Sequence, residues 1–392
     1  MVRGLATQAL EKELQLRPST RLANKVLFDN TYAGKTVLIT GHTGFKGSWL
    51  ALWLHLLGAR VVGYALEPPT DPSLFDAIDL SAKIAHIIGD VRDFGHLSAV
   101  LETHQPQIVF HLAAQPLVRL SYHEPQLTYE TNVMGTVNLL EAVRRTPSVR
   151  VVVNVTSDKC YENKEWDYSY RENDPLGGFD PYSSSKGCAE LVSSSYRNSF
   201  FNKPDGVRMA SVRAGNVVGG GDWALDRIVP DCIRSLQANT PVGVRNPHAI
   251  RPWQHVLEPL SGYLWLGSLL WTKAQAYSGP WNFGPDSRSN ITVKEVVEKI
   301  IKNWGNGSWN GGTDTGRQLH EARFLKLDCT RANNLLKWFP VYDIDQTLRV
   351  TTAWYREYCS GSRTMWEYSL KDIENYVQTA SMHGFAWVEP PA

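Results

Sequence analysis

Two short runs carry reactive side chains at chemically meaningful spacings. The first is Ser157-Asp158-Lys159 and the second is Tyr182-Ser-Ser-Ser-Lys186. Tyr-x-x-x-Lys on a helix places a phenol and an ammonium on one face, a turn apart. The ammonium lowers the phenol's pKa, so Tyr182 is expected to take a proton from an alcohol near neutral pH. Oxidation of a sugar hydroxyl by a nicotinamide needs that pair. Asp158-Lys159 adds an acid and a base that simple oxidation does not use, which points to oxidation followed by elimination of water. The plain alternatives are a helix-surface pair for Tyr182 and Lys186 and a solvated loop lysine for Lys159. The position of Lys159 after a strand, between Asp158 and Tyr161, favours chemistry.

These residues need a rigid frame, and the pattern supplies one. Apolar, β-branched runs are expected as strands over 36–40, 60–64, 86–90, 107–112, 150–155 and 209–212. Helical stretches alternate with them, among them 48–57, closed by Gly58, and 132–145. The fold class expected is α/β, a Rossmann-type doubly wound parallel sheet with a smaller C-terminal substrate-binding domain. Past residue 213 glycine, proline and tryptophan cluster, and Gly219–Trp223, Arg251–Trp253 and Gly279–Trp281 read as loops. Helices are expected over 227–238, 256–272, 293–304 and 345–358, the last capped by Asp345. The division expected is an extension over 1–33, with a short helix between Leu5 and Leu16. A dinucleotide-binding domain with the catalytic residues then spans 34–212, a substrate domain 213–360 and a tail 361–392.

Gly41, Gly44 and Gly47 lie between a strand and a helix, where the backbone must turn tightly and let a pyrophosphate rest on the helix N-terminus. Thr43, Phe45 and Lys46 complete that turn. Asp90, beside Val91, is placed to hydrogen-bond an adenine amino group, or else to cap the next helix. Ala113 and Ala114 let the backbone pass close to a cofactor. No acid stands at the tip of the second strand, where one would select NAD. Glu67 comes slightly late, and Lys46 could favour a 2′-phosphate, so these residues leave NAD and NADP open.

Composition narrows the class. Forty basic and 39 acidic residues give a net charge of +1, no argument for nucleic acid or an anionic membrane. Five cysteines, an odd number without a Cys-x-x-Cys pair, favour a reducing cytoplasm over disulfides or zinc. Cys160 reads as a packed thiol. No run approaches a membrane span, and residues 1–33 lack the apolar core of a signal peptide. The histidines are scattered, no metal site is expected, and His111 reads as a strand residue.

At these motifs the chain resembles the extended short-chain dehydrogenases/reductases, and within them the sugar-nucleotide dehydratases and epimerases. The likeness runs over roughly residues 33–360. It rests on Thr40–Trp49, His111–Tyr122, Thr156–Tyr161, Tyr182–Lys186, Arg213–Trp223 and Arg251–Val256. Relatives usually have Glu after the Asp. Lys159 there is typical of the branch acting on CDP-glucose. The resemblance implies NAD and a 4,6-dehydration. In that reaction Tyr182, Ser157 and Lys186 serve the C4 oxidation, Lys159 removes the C5 proton, and Asp158 protonates the leaving C6 hydroxyl. It implies that Asn216, Arg251 and Arg227 contact the nucleotide diphosphate, and that Trp223, Trp253 and His255 line the pocket or pack its loops. It also implies a cytoplasmic homodimer or homotetramer built on helices near 132–145 and 182–200, making deoxysugars for surface glycans such as O-antigen. A 4-epimerase of the same fold would not need Asp158 and Lys159. A non-catalytic nucleotide sensor would typically have lost Tyr182 or Lys186.

Overall fold

The computed structural model describes residues 25–201, 203, 206–311 and 324–389. The helix expected between Leu5 and Leu16 lies outside them. Six strands follow the expected order: β1 (Thr36–Thr40), β2 (Arg60–Ala65), β3 (Ala85–Ile88), β4 (Ile108–His111), β5 (Val151–Val155) and β6 (Arg208–Ala214). After β7 (Asn216–Val218) and β8 (Ile250–His255) the chain returns to the sheet as β9 (Gly279–Phe283). The order is β9-β6-β5-β4-β1-β2-β3, every pair parallel. All residues of β1, β4 and β5 are buried, as continuous apolar strands must be when helices cover both faces. Each such Val or Ile contributes about 2 kcal/mol by leaving water. The chain reverses direction across the sheet between β1 and β4, so their carboxyl ends open a cleft.

β9 corrects a sequence expectation. Gly279-Pro280 reads as loop, yet Pro280 lies on the sheet's edge strand, where a missing N–H breaks no inner ladder. Trp281 behind it is fully buried and donates Nε1–H to the Tyr277 carbonyl at 2.8 Å. Likewise Arg251-Pro-Trp253 belongs to β8, which lies between β7 and a short strand, β10 (Asn290–Thr292).

The helices that matter for the site are α1 (Phe45–Leu56), α2 (Phe94–His104), α3 (Gly135–Arg144) and α4 (Pro181–Tyr196). Gly58, at φ +77°, stops the chain after α1 as expected. The helical run into α3 begins earlier than expected, because Pro125 starts a turn that continues through residues 130–134. In the C-terminal half stand α5 (Ile228–Gln237), α6 (Leu257–Lys273), α7 (Val293–Trp304), α8 (Ile344–Ser360) and α9 (Met365–Met382). The cap of α8 is Asp343, not Asp345: Asp343 and Gln346 form a reciprocal capping box.

Residues 361–392, expected as a tail, contain α9. It buries Ile373, Tyr376, Val377 and Ala380 on one face, and its Tyr376 hydroxyl donates to Glu258 at 2.7 Å. Nor is the start of the chain loose from residue 25 on. Val26–Leu27 pairs antiparallel with Val388–Glu389, and buried Phe28 stacks on Trp387 at 5.2 Å. Among the described residues no helix is long and apolar enough to cross a membrane.

Candidate active site

The glycine turn is dictated by backbone sterics. Gly41 has φ +78°, and a Cβ there would stand 2.7 Å from the Ala113 nitrogen. A Cβ on Gly47 would stand 2.0 Å from the Gly41 carbonyl oxygen. Only bare backbone lets β1, β4 and α1 meet this closely. Thr40 Oγ1 accepts from Ala113 N at 3.2 Å and lies 2.6 Å from Nδ1 of His111, a strand residue as expected. Gly44 is the N-cap of α1, and no side chain caps that terminus. An uncapped helix N-terminus behind a glycine turn fits the pyrophosphate of a dinucleotide. Thr43 donates to the Leu66 carbonyl at 2.9 Å, and Phe45 packs beneath Gly219.

Asp90 and Val91 follow β3. Asp90 accepts from the Arg92 backbone N–H at 2.9 Å and from its guanidinium at 2.6 and 2.9 Å. It does not cap α2. That cap is Asp93, whose carboxylate accepts from His96 N at 3.0 Å. Val91 is buried against Gly135. Ala113 and Ala114 are half-buried past β4.

The charged neighbours of Lys46 are Arg227, Asp158 and Asp222, which places it beside the catalytic group as well as in the glycine turn. Burial and the Arg227 charge hold its ammonium down at about 8, against the pull of Asp158 and Asp222.

β5 delivers the catalytic turn. Thr156 N donates to the Val212 carbonyl on β6 at 2.9 Å. Ser157 then caps a single tight turn, Asp158–Cys160, with Oγ accepting from Lys159 N at 3.2 Å. The same hydroxyl donates to Asp158 Oδ1 at 3.0 Å and lies near enough to the Tyr182 phenol to influence its ionisation. Opposite stands α4, capped by Asp180, which accepts from Ser183 N at 2.9 Å, with Pro181 in its first turn. Gly187 allows the contact: a Cβ there would stand 2.7 Å from the Gly177 carbonyl oxygen and 3.3 Å from that of Cys160. Cys160 itself is a packed thiol, its pKa pushed up by burial.

Asp158, Tyr182 and Lys186 are all buried. Burial raises the Asp158 pKa, opposed by Lys159, Ser157 and Lys46, so its protonated form is favoured, as a general acid requires. Burial lifts the Tyr182 phenol to about 12, and Ser157 and Arg227 pull it down. Lys186 is held at about 8 by burial and by Lys46, while Glu190 pulls it up. The cation acting on the phenol is therefore Arg227 and not Lys186, and burial holds the phenol above its ordinary value where Tyr-x-x-x-Lys spacing predicts that an ammonium lowers it.

Lys159, Asn216, Arg227 and Arg251 all line one cleft of about 830 Å³, so the three candidate phosphate partners and the candidate base share a chamber. Asp222 holds Arg227 at 2.8 Å. Asp226 ties Arg245, at 3.0 Å, to Arg119, at 3.9 Å, and all three line the same cleft. None of the three was singled out in the sequence, although Arg119 lies inside the His111–Tyr122 run. Trp223, Trp253 and His255 are buried and pack loops. Trp223 abuts Trp354 and Tyr358, Trp253 donates to the Ile291 carbonyl, and His255 faces Tyr342. Among the described residues no three His, Cys, Asp or Glu side chains converge as a metal would need.

Comparison with known proteins agrees with this geometry. The CDP-glucose 4,6-dehydratase of Salmonella typhimurium is 52% identical over 357 residues, covering 90% of this chain and 99% of its own. The UDP-glucose 4-epimerase of Mycolicibacterium smegmatis is 26% identical, covering 81% of this chain and 98% of its own. The crystal structure of a dTDP-glucose 4,6-dehydratase from Bacillus anthracis, solved with NAD, superposes with a TM-score of 0.68 at 22% identity, over 83% of this chain and 97% of its own. That likeness shows the fold. The family model described as GDP-mannose 4,6 dehydratase matches residues 38–351. By that match and the 52% identity, the chain belongs to the GDP-mannose 4,6 dehydratase family of sugar-nucleotide-modifying enzymes.

Proposed function

We propose that the protein is an NAD-dependent hydro-lyase that converts CDP-glucose to CDP-4-dehydro-6-deoxy-D-glucose and water. The observation carrying this reading is the buried Asp158 beside Lys159, in the turn that also presents Ser157 to Tyr182. An epimerase needs no such second acid and base. The Salmonella typhimurium relative, similar over nearly its whole length, bears the name of this reaction.

NAD, when bound, would supply the hydride acceptor for C4 and the hydride donor for C6. The glycine turn, Gly41 to Gly47, and the N-terminus of α1 would hold its pyrophosphate. Asp90 and Val91 would border its adenine, and Ala113 and Ala114 would let the backbone pass close beside it. Tyr182 takes the C4 hydroxyl proton, with Ser157 bonded to the same oxygen and Lys186 and Arg227 as nearby cations. The 4-ketone acidifies the C5 proton, which Lys159 removes. Asp158 gives a proton to the C6 hydroxyl, which leaves as water. C5 then regains a proton. Asn216, Arg227 and Arg251 bind the diphosphate, for which a guanidinium offers two parallel donors. A homodimer through α3 and α4 is consistent with Leu191 on α4 and Phe200 in the turn that follows it, which stand 60% and 44% exposed.

The test is to incubate the protein with CDP-glucose, UDP-glucose and dTDP-glucose in parallel and follow mass. Loss of one water from CDP-glucose alone is the expected result. No loss from any of the three, with cofactor bound, would remove the dehydratase reading.

A further inference from the structure

Glu190 and Arg213 form a fully buried ion pair behind the catalytic group, 4% and 2% exposed. The carboxylate is saturated. One oxygen accepts from Thr156 Oγ1 and from Arg213 Nε at 3.0 Å. The other accepts from Ser211 Oγ at 2.7 Å and from Arg213 Nη2 at 2.8 Å. Arg213 Nη1 in turn donates to the Tyr161 hydroxyl at 2.6 Å and to the Glu172 carbonyl at 3.1 Å. The Tyr161 hydroxyl donates in turn to Asn282 Oδ1 at 2.8 Å.

The positions of these partners matter. Thr156 and Tyr161 bracket the turn carrying Ser157, Asp158 and Lys159. Glu190 follows Tyr182 and Lys186 at four-residue steps, on the same face of α4. One carboxylate–guanidinium pair therefore grips both ends of the catalytic turn and the catalytic helix. Stability alone does not require it, because desolvating two charges costs roughly what their attraction returns.

We propose that Glu190 and Arg213 are positioning residues for the reaction: the pair holds Ser157, Asp158 and Lys159 in register with Tyr182 and Lys186. This rests on the dehydratase reading above. A second consequence follows for charge. The groups acting on the Lys186 ammonium are Lys46 on α1, Cys160 on the turn and Glu190 on α4, and Lys186 acts in turn on His111 of β4. Lys46 pushes the ammonium towards neutrality and Glu190 opposes it, so Glu190 keeps Lys186 charged to higher pH.

Three proteins decide the matter: wild type, Glu190→Gln and Tyr161→Phe, each assayed for water loss from CDP-glucose across pH. Glu190→Gln should move the alkaline limb of kcat down by about one pH unit. A purely structural lesion would lower the profile without moving it. Tyr161→Phe keeps the ion pair and loses one link. It should lower kcat about tenfold while KM stays within about twofold. It should stay folded, so it decides the question even if Glu190→Gln does not fold. Tyr161→Phe with wild-type kcat, or a Glu190→Gln profile superimposable on wild type, would overturn the proposal. A wild-type protein that dehydrates no sugar nucleotide would instead sink the functional reading.

Discussion

Two turns at the carboxyl ends of the sheet do neighbouring jobs by different physics. The glycine turn after β1 is held by absence: Gly41 and Gly47 leave no room for a Cβ, and their contacts are backbone to backbone. The catalytic turn after β5 is held by side chains from distant parts of the chain. Thr156 reaches Glu190, Tyr161 reaches Arg213 and Asn282, and Ser157 meets Asp158 and Tyr182. The first kind of turn tolerates no side chain at Gly41 or Gly47, whatever the partners around it. The second is tunable, because each partner contributes a charge or a hydrogen bond that can be altered alone.

The sharpest way to break the glycine turn is Gly47→Ala. The added carbon meets backbone, which cannot swing aside. It should cost about 3 kcal/mol and abolish NAD binding, seen by thermal unfolding and by the cofactor absorbance of the purified protein. Next comes the substrate side of the catalytic region. Arg251→Ala removes a cleft guanidinium. It should raise KM for CDP-glucose about thirtyfold with a much smaller change in kcat, read from steady-state kinetics.

Buried acids outside both turns offer a control. Burial lifts the Asp372 pKa to about 8, opposed only weakly by Lys371. The folded protein therefore binds a proton that the unfolded chain releases near pH 4. Stability should fall as pH rises from about 4 to about 8 and then level off. Melting curves of Asp372→Asn should lose the part of that slope above about pH 7, the part below being shared with buried Glu258, with kcat unchanged. The smallest effect belongs to Asp93→Ala at the cap of α2. It should cost about 1 kcal/mol of unfolding free energy and leave turnover intact.

The same contrast explains what could be read from the sequence. Gly41, Gly44 and Gly47 follow from local backbone geometry, and Tyr182 with Lys186 from helix periodicity, so both were legible. So were the six strands from β1 to β6, as short runs rich in apolar and β-branched residues. Glu190 and Arg213 were not, because one reads as an ordinary helix residue and the other as a strand residue until the fold brings them together. The surroundings of Lys46 were hidden for the same reason: its charged neighbours Asp158, Asp222 and Arg227 lie more than a hundred residues away. β9 was hidden by Gly279-Pro280, a turn signal overridden by the free edge of the sheet. α9 was missed because its apolar face gains its partners from distant parts of the chain: α6 through Glu258, α1 through Trp53 and α8 through Trp354.

The most direct test of the catalytic turn is a single turnover of Lys159→Ala with CDP-glucose, following reduced nicotinamide and product mass together. The C4 oxidation should survive, because Ser157, Tyr182 and Lys186 remain, so reduced cofactor should accumulate with no water lost. Water loss at the wild-type rate would contradict the assignment of Lys159 as the base that sets dehydration apart from epimerisation.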